Sequence, residues 1–189
     1  MRIIGGEARS RLIDAPKGMD TRPTQDKVRE SLFNILQWNI EGRHVLDLFA
    51  GSGALGLEAI SRGADDAIFV DVSHHAAAVI QSNIEKLGFG DRAKVIKADW
   101  RTAISGLSSH HNHRFDLIFL DPPYKMDDTG EMCLGMLNAG IVADNALFVI
   151  EHSWDAPPKL DLRLRATDVR RYGSTGITFC TPAVKGETE

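Results

Sequence analysis

The sequence predicts an α/β fold, a doubly wound, mostly parallel sheet of seven strands with a small N-terminal hairpin-and-helix extension. Three observations carry that prediction. From residue 44 onward, short apolar runs alternate with segments of helical periodicity. The runs are apolar nearly throughout, as strands covered by helices on both faces are. After Pro157-Pro158 the alternation stops, and two extended segments follow one another.

The elements follow in chain order. "RIIGGEARSRLIDAPKG" reads as two short extended pieces, with Gly5-Gly6 as a turn or bulge signal. "RPTQDKVRESLFNILQW" supplies a helix: Thr24 is a candidate cap, Asp26 lies near the positive end, and Val28, Leu32, Ile35 and Leu36 form an apolar stripe. "HVLDLF" is a strand, and "ALGLEAISRG" a helix that Gly63 ends. "AIFVDV" is a strand, followed by a helix with Ser73 as cap and Gly88 as stop. "AKVIKAD" is a strand, "WRTAISGL" a short helix and "RFDLIFLD" a strand. "TGEMCLGMLNAG" reads as a helix weakened by two internal glycines, and "NALFVIEH" as a fifth strand. "LRLRATDVRRYG" and "GITFCTP" form an antiparallel hairpin at the sheet edge. The expected division is an extension over 1–40 belonging to the same domain, a main body over 41–182, and a tail over 183–189.

With 189 residues, one domain is expected. A chain of this size buries roughly 70% of the surface its unfolded form exposes, so disulfide or metal staples are unnecessary. Cys133 and Cys180 are far apart and match no metal spacing, which predicts reduced thiols. No apolar run approaches membrane-spanning length, and "MRIIGGEARS" has no signal-peptide core, so a soluble cytoplasmic protein is expected. The formal charge is −4, which argues against a protein basic all over. The charge is unevenly placed: residues 1–29 hold seven basic and four acidic side chains, a net of +3, leaving −7 for the other 160. A basic arm on an acidic body suits a localised phosphate-binding surface, although an ordinary solvated hairpin carries such charges too.

In doubly wound sheets ligands bind beyond the carboxyl ends of the strands, where the strand order switches. Polar residues collect at those points: Asp47, Asp71, Asp99 and Asp121-Pro122-Pro123-Tyr124 close successive strands. One such Asp alone caps a helix or makes a turn more often than it catalyses. Four in succession predict a site. Gly51-Ser52-Gly53-Ala54-Leu55-Gly56 matches the dinucleotide fingerprint G-x-G-x-x-G, and Asp71 stands at the spacing of its ribose-binding acid. A dehydrogenase is therefore one reading. Against it, Asp47 precedes the turn where an anionic pyrophosphate gains nothing from a carboxylate, and the chain is short for an added substrate domain. A ligand with an ammonium group, a ribose diol and an adenine fits better, and S-adenosylmethionine has all three.

"DPPY" points to the reaction. An exocyclic base amine is a poor nucleophile, because its lone pair is delocalised into the ring. The Asp121 carboxylate and the Pro122 carbonyl are placed to accept hydrogen bonds from such an amine, aiming the nitrogen and favouring positive charge on it. Prolines hold the turn rigid without donating competing hydrogen bonds. Stacking of the base on Tyr124 is worth roughly 1–3 kcal/mol by analogy with single-strand binders, which helps offset the few kcal/mol of extracting a paired base.

"DPPY" and the glycine turn together resemble the amino-methylating branch of the class I methyltransferases. "MRIIGG", "TRPTQDKVRESLFNIL", "LDLFAGSGALGLEA", "DLIFLDPPY" and "RRYGSTGITF" resemble, in order and spacing, the RsmD family of bacterial methyltransferases over residues 1 to about 182. That family modifies a guanosine at N2 in 16S ribosomal RNA of the small subunit. The resemblance implies a Rossmann-like class I fold. It also implies that Asp47, Phe49, Gly51, Ser52 and Gly53 line the methionine and ribose parts of S-adenosylmethionine. Asp71 would bind the ribose hydroxyls; the family more often has Glu here. Asp99 would face the adenine amine, with Trp100 beside it. Asp121, Pro122, Pro123 and Tyr124 would hold the target guanine. Thr21, Arg22, Pro23 and Thr24 would close over the site, and the arm around Arg2, Arg9, Arg11, Lys17 and Arg22 would meet RNA phosphates. A monomer acting on 16S ribosomal RNA, within a small subunit or an assembly intermediate, is the implied state.

"SHHNHR" (residues 109–114, with His110, His111 and His113) invites a metal reading. It lies in a polar loop without acidic or cysteine partners at ligand spacing, and amine methylation by a sulfonium needs no metal. His74-His75 begins a helix, where exposure is the ordinary explanation. Two rivals remain: an amino-methyltransferase acting on adenine N6, cytosine N4 or a protein amide, and a non-catalytic RNA-binding assembly factor with the same fold.

Overall fold

The computed structural model describes residues 1–16, 23–110, 114–123, 126 and 128–183, with the backbone alone for 23–25 and 110. Chain order gives α1 (Pro23–Leu36), β1 (His44–Asp47), α2 (Ala54–Ser61), β2 (Asp66–Asp71), α3 (His74–Leu87), β3 (Ala93–Lys97) and α4 (Trp100–His110). It continues through β4 (Phe115–Leu120), α5 (Thr129–Asn138), β5 (Val142–Ser153), β6 (Leu164–Tyr172) and β7 (Thr175–Pro182). The seven strands form one sheet in the order β3-β2-β1-β4-β5-β7-β6. The first five pair in parallel. β7 inserts antiparallel between β5 and the edge strand β6, so the expected hairpin closes the sheet with its second strand innermost.

Successive strand residues face opposite sides, and the core divides accordingly. Val45, Phe69, Leu117 and Phe119 pack with Phe33 of α1, Leu57 of α2 and Ile80 of α3. Leu46, Val70, Ile118 and Phe148 pack with Ile104 of α4 and Met136 of α5. The result is a helix–sheet–helix sandwich whose strand order turns back between β1 and β4, which opens a crevice at their carboxyl ends. Cys133 and Cys180 are free thiols buried in the second layer.

α3 forms where its signals lie. The Ser73 side chain accepts from the Ala76 N–H at 3.3 Å, and Gly88 ends the helix at φ 76°. Three elements differ from expectation. α1 starts at Pro23, whose fixed φ suits a first helical position, so Thr24 falls inside the helix rather than at its cap. α4 runs to His110, beyond the stretch its sequence marked. α5 is a continuous helix across both glycines. A Cβ at Gly130 would lie 2.0 Å from the Lys159 carbonyl oxygen, and one at Gly135 would face the Trp100 ring at 3.7 Å. Tertiary approach at Gly130 therefore overrides the propensity cost.

The N-terminal arm is moored to the body by buried polar groups. An isolated antiparallel bridge joins Arg2 to Leu12 in place of a longer two-stranded hairpin. Glu58 of α2 is fully buried and accepts from the Ile4 and Gly5 N–H groups at 2.7 and 2.8 Å and from Arg62 at 2.7 Å. Ser61 donates to the Gly5 carbonyl and accepts from the Ala8 N–H. Gly6, at φ 74°, has to be glycine, because a Cβ there would fall 1.7 Å from the Ser61 carbonyl oxygen. Tyr172 of β6 shares a 2.7 Å hydrogen bond with Ser31 of α1, which ties the last hairpin to the first helix.

Candidate active site

The crevice is built on β1, β2, β4 and β5. The glycine turn leaves β1 and is pinned on both sides: Leu48 N–H donates to the Phe119 carbonyl and Ala50 N–H to the Val70 carbonyl. Gly51 and Gly53 adopt φ values of 55° and 77°, a region that favours glycine. A Cβ on Gly53 would meet Ile80 and Leu57 at 3.3 Å. Gly56 serves close packing of α2 on the sheet, since a Cβ there would lie 2.4 Å from the Phe69 ring. Asn83, wholly buried in α3, donates to the Ser52 carbonyl at 3.0 Å and to the Asp14 carbonyl at 2.9 Å. It also accepts from the Asp14 N–H, so one amide couples the N-terminal arm to the turn. Met1 reaches the same place, its sulfur lying 3.5 Å from the Ser52 hydroxyl.

The carboxylates on the β1–β3 side are held by backbone. Asp47 is enclosed, 2% exposed, and accepts from the Gly56 N–H at 3.1 Å. It braces the turn from behind instead of presenting itself to a ligand, as its sequence position had suggested. Burial raises its pKa from 3.8 to about 7, opposed by the Gly56 hydrogen bond and reinforced by the negative charges of Asp121 and Asp71. Asp71 accepts from the Gly51 N–H at 2.9 Å and from the Ser73 N–H at 2.8 Å. Each of its oxygens thus has a partner, and a ribose diol would meet only their remaining lone pairs. Asp99 takes the Arg101 and Thr102 N–H groups and the Thr102 hydroxyl as the cap of α4, which depresses its pKa. Trp100 is buried, with the Arg101 guanidinium 4.1 Å from the ring centroid, and the indole N–H has no partner among the described residues. Phe49 is half-buried and packs on the second core layer.

Asp121 and Glu151, on the β4–β5 side, have no hydrogen bond or ion pair among the described residues. Asp121 directly follows β4 and Glu151 lies in β5, one residue beyond the paired Leu120 and Ile150. Water reaches Asp121 although protein surrounds most of its carboxyl group, and this desolvation raises its pKa. Glu151 is half-buried, and its pKa is raised by burial first and by the charge of Asp121 second. The two form a pair that holds protons into the range where ordinary carboxylates have lost theirs. Pro122, Pro123 and Glu151 line one cleft of about 480 Å³, with Thr129, Asp155 and Lys159 on its far wall. Tyr124, Thr21, Arg22, Lys17, His111 and His113 lie outside the described residues, as does most of the tail, 184–189.

Sequence reasoning missed four contributors. Glu58 and Asn83 act through partners far along the chain, and Glu151 comes beside Asp121 only through the β4–β5 register. Val72, immediately after Asp71, is an apolar side chain left 71% exposed, and its position after the second strand was the available signal. Among the predicted phosphate contacts, Arg2 and Arg9 are exposed. The Arg11 guanidinium donates instead to the Leu87 and Lys86 carbonyls at the end of α3. Among the described residues, no group of three His, Cys, Asp or Glu side chains is arranged to hold a metal, and no helix is long and apolar enough to cross a membrane.

Residues 1–181 match the family described as Conserved hypothetical protein 95. The chain belongs to this family, the RsmD family. Relatives of it include the putative rRNA methyltransferase YlbH of Bacillus subtilis, 36% identical over 95% of this chain and 97% of that one. The ribosomal RNA small subunit methyltransferase D of Escherichia coli strain K12 is 36% identical over 80% of this chain and 74% of that one. Among solved structures, the putative methyltransferase yhhF of Escherichia coli superimposes with a TM-score of 0.83 at 31% identity, covering 96% and 97% of the two chains. The sheet of this RsmD-family chain is thus a class I, Rossmann-like methyltransferase fold, with the crevice at its usual place.

Proposed function

We propose that this chain transfers a methyl group from S-adenosylmethionine to the exocyclic N2 of a guanosine in small-subunit ribosomal RNA. The observation that carries the reading is the Asp121-Pro122-Pro123 corner. It stands across the strand switch from the glycine turn, with a carboxylate that has no hydrogen-bond partner among the described residues. The printed names of the Bacillus and Escherichia relatives support ribosomal RNA as the substrate class.

The residues present fit such a cofactor. Gly51 and Gly53 leave the turn free of side chains, and Val72 offers an apolar platform for an adenine. Asp71 brings negative charge to the turn where an ammonium would sit, and the Asp47 behind it has a pKa raised first by burial and then by the charges of Asp121 and Asp71. Asp71 and the backbone of 51–53 would hold the ribose and methionine parts, and Asp99 and Trp100 would flank the adenine. When bound, S-adenosylmethionine supplies a methyl group activated by positively charged sulfur. Asp121 and the Pro122 carbonyl accept hydrogen bonds from the amine, aim its nitrogen, and favour the positive charge that grows there. Asp121 or water takes the proton that the methylated amine sheds. Tyr124 would cover the flat face of the base. Arg2 and Arg9 would meet phosphates beside the crevice.

The test is transfer of labelled methyl from S-adenosylmethionine to small subunits lacking the modification, their naked RNA, duplex DNA and total protein. Label recovered as N2-methylguanosine in the small-subunit RNA is expected. Label in DNA, in protein or on another base would overturn the substrate, and no transfer together with no cofactor binding would overturn the activity.

A further inference from the structure

We propose that Glu151 is the residue that selects guanine, by accepting the N1–H of the target base while Asp121 and Pro122 take its N2 amine. This deepens the proposed function and rests on it. The geometry begins with the register. Leu120 and Ile150 are paired on adjacent parallel strands, and both side chains point into the second core layer. Asp121, just past the end of β4, and Glu151, still within β5, come next on neighbouring strands, which lie about 4.8 Å apart in such a ladder. Glu151 thereby lines the same cleft as Pro122 and Pro123.

Glu151 has no hydrogen bond or ion pair among the described residues, although burying a carboxylate unpaired is costly. The adjacent His152 turns away, its ring nitrogens engaged with the Thr178 hydroxyl at 2.9 Å and the Ser153 carbonyl at 2.8 Å. Among the described residues the position has no donor, and a guanine supplies one. Its Watson–Crick edge presents N1–H beside the N2 amine, so two adjacent carboxylates meet two adjacent donors. Adenine and cytosine each place an acceptor next to their exocyclic amine. That acceptor would face the Glu151 carboxylate, and a site built for a donor discriminates strongly against its absence. Burial and the charge of Asp121 keep Glu151 inclined to hold a proton until the donor edge arrives.

The experiment compares guanosine with 2-aminopurine ribonucleoside, which keeps the N2 amine and lacks N1–H. Each is placed at the methylated nucleotide in reassembled small subunits. Wild type, Glu151→Gln and Glu151→Asp are assayed for kcat and KM, with S-adenosylmethionine affinity and Tm as controls. Wild type is expected to prefer guanosine by roughly 100-fold in kcat/KM. Glu151→Gln should narrow the preference to below about 10-fold, Glu151→Asp should restore part of it, and cofactor affinity should stay unchanged. An unaltered preference in an active Glu151→Gln enzyme would overturn the proposal and leave the methyltransferase reading standing. Absence of transfer by wild type to guanosine itself would overturn that reading, and this proposal with it.

Discussion

The two sides of the crevice treat their carboxylates in opposite ways. On the β1–β3 side, Asp47, Asp71 and Asp99 accept from Gly56, from Gly51 and Ser73, and from Arg101 and Thr102. On the β4–β5 side, Asp121 and Glu151 accept from nothing among the described residues. The held carboxylates shape a turn and start a helix, so the cofactor side is preorganised by the chain itself. The unheld pair has no donor among the described residues and stays open to donors that a ligand brings. The difference assigns architecture to one side and chemistry to the other.

Breaking the chemical side should have the largest effect. Asp121→Ala is expected to lower kcat by about 10²–10³-fold, the usual loss when one preorganised group at a developing charge is removed. Its S-adenosylmethionine affinity should change less than about threefold, as calorimetry would report. Asp71→Ala sharpens the contrast from the other side. It frees the Gly51 and Ser73 N–H groups, and cofactor affinity should fall about tenfold, the effect of losing roughly one to two hydrogen bonds, with kcat little changed at saturation.

Asp47 offers a stability test. Its folded pKa of about 7 lies above the unfolded value of 3.8, so the folded state holds the proton longer. The resulting penalty is absent near pH 3, grows as pH rises between those two values, and is complete above the upper one. Asp47→Asn keeps an acceptor for the Gly56 N–H and removes the buried charge. Chemical denaturation should find it as stable as wild type or more so at pH 8, by up to a few kcal/mol, with the difference vanishing toward pH 4.

The Asp121–Glu151 pair predicts a pH profile. Both pKa values are raised, so the pair accepts donors better as it loses protons, and kcat/KM should climb several-fold from about pH 6 to 8. Glu151→Gln should flatten that rise. The smallest effect concerns the arm. Replacing Arg2 and Arg9 together by Ala should reduce the slope of log affinity for RNA against log salt by about 1–2. Arg11→Ala should leave the slope nearly unchanged and instead cost about 1 kcal/mol of stability.

Much of the frame was legible in the sequence, because local signals and packing agree there. Ser73 and Gly88 bracket α3 as their chemistry dictates, and the Asp-ended strands fall in the order that places a crevice at β1 and β4. The mistaken or missing parts depend on distant contacts. Gly130 and Gly135 weakened the reading of α5 as a helix, and only the approach of the Lys159 carbonyl gives a reason for glycine, at position 130. Arg11 read as a phosphate contact because nothing local shows that α3 ends beside it. Asp47 read as a ligand group, and its enclosure and its hydrogen bond from the Gly56 N–H were not legible locally. Glu151 sat within an apolar strand run, and only the register with β4 puts it next to Asp121.

A double-mutant cycle on Asp71 and Asp121 tests the division of labour most directly. Cofactor affinity and the single-turnover rate of methyl transfer to unmodified small subunits would be measured for wild type, Asp71→Ala, Asp121→Ala and the double variant. The account predicts that Asp71→Ala acts on affinity, Asp121→Ala acts on rate, and the two effects add within about 0.5 kcal/mol. An Asp121→Ala enzyme that loses cofactor while keeping its rate, or a pair coupled by several kcal/mol, would contradict it.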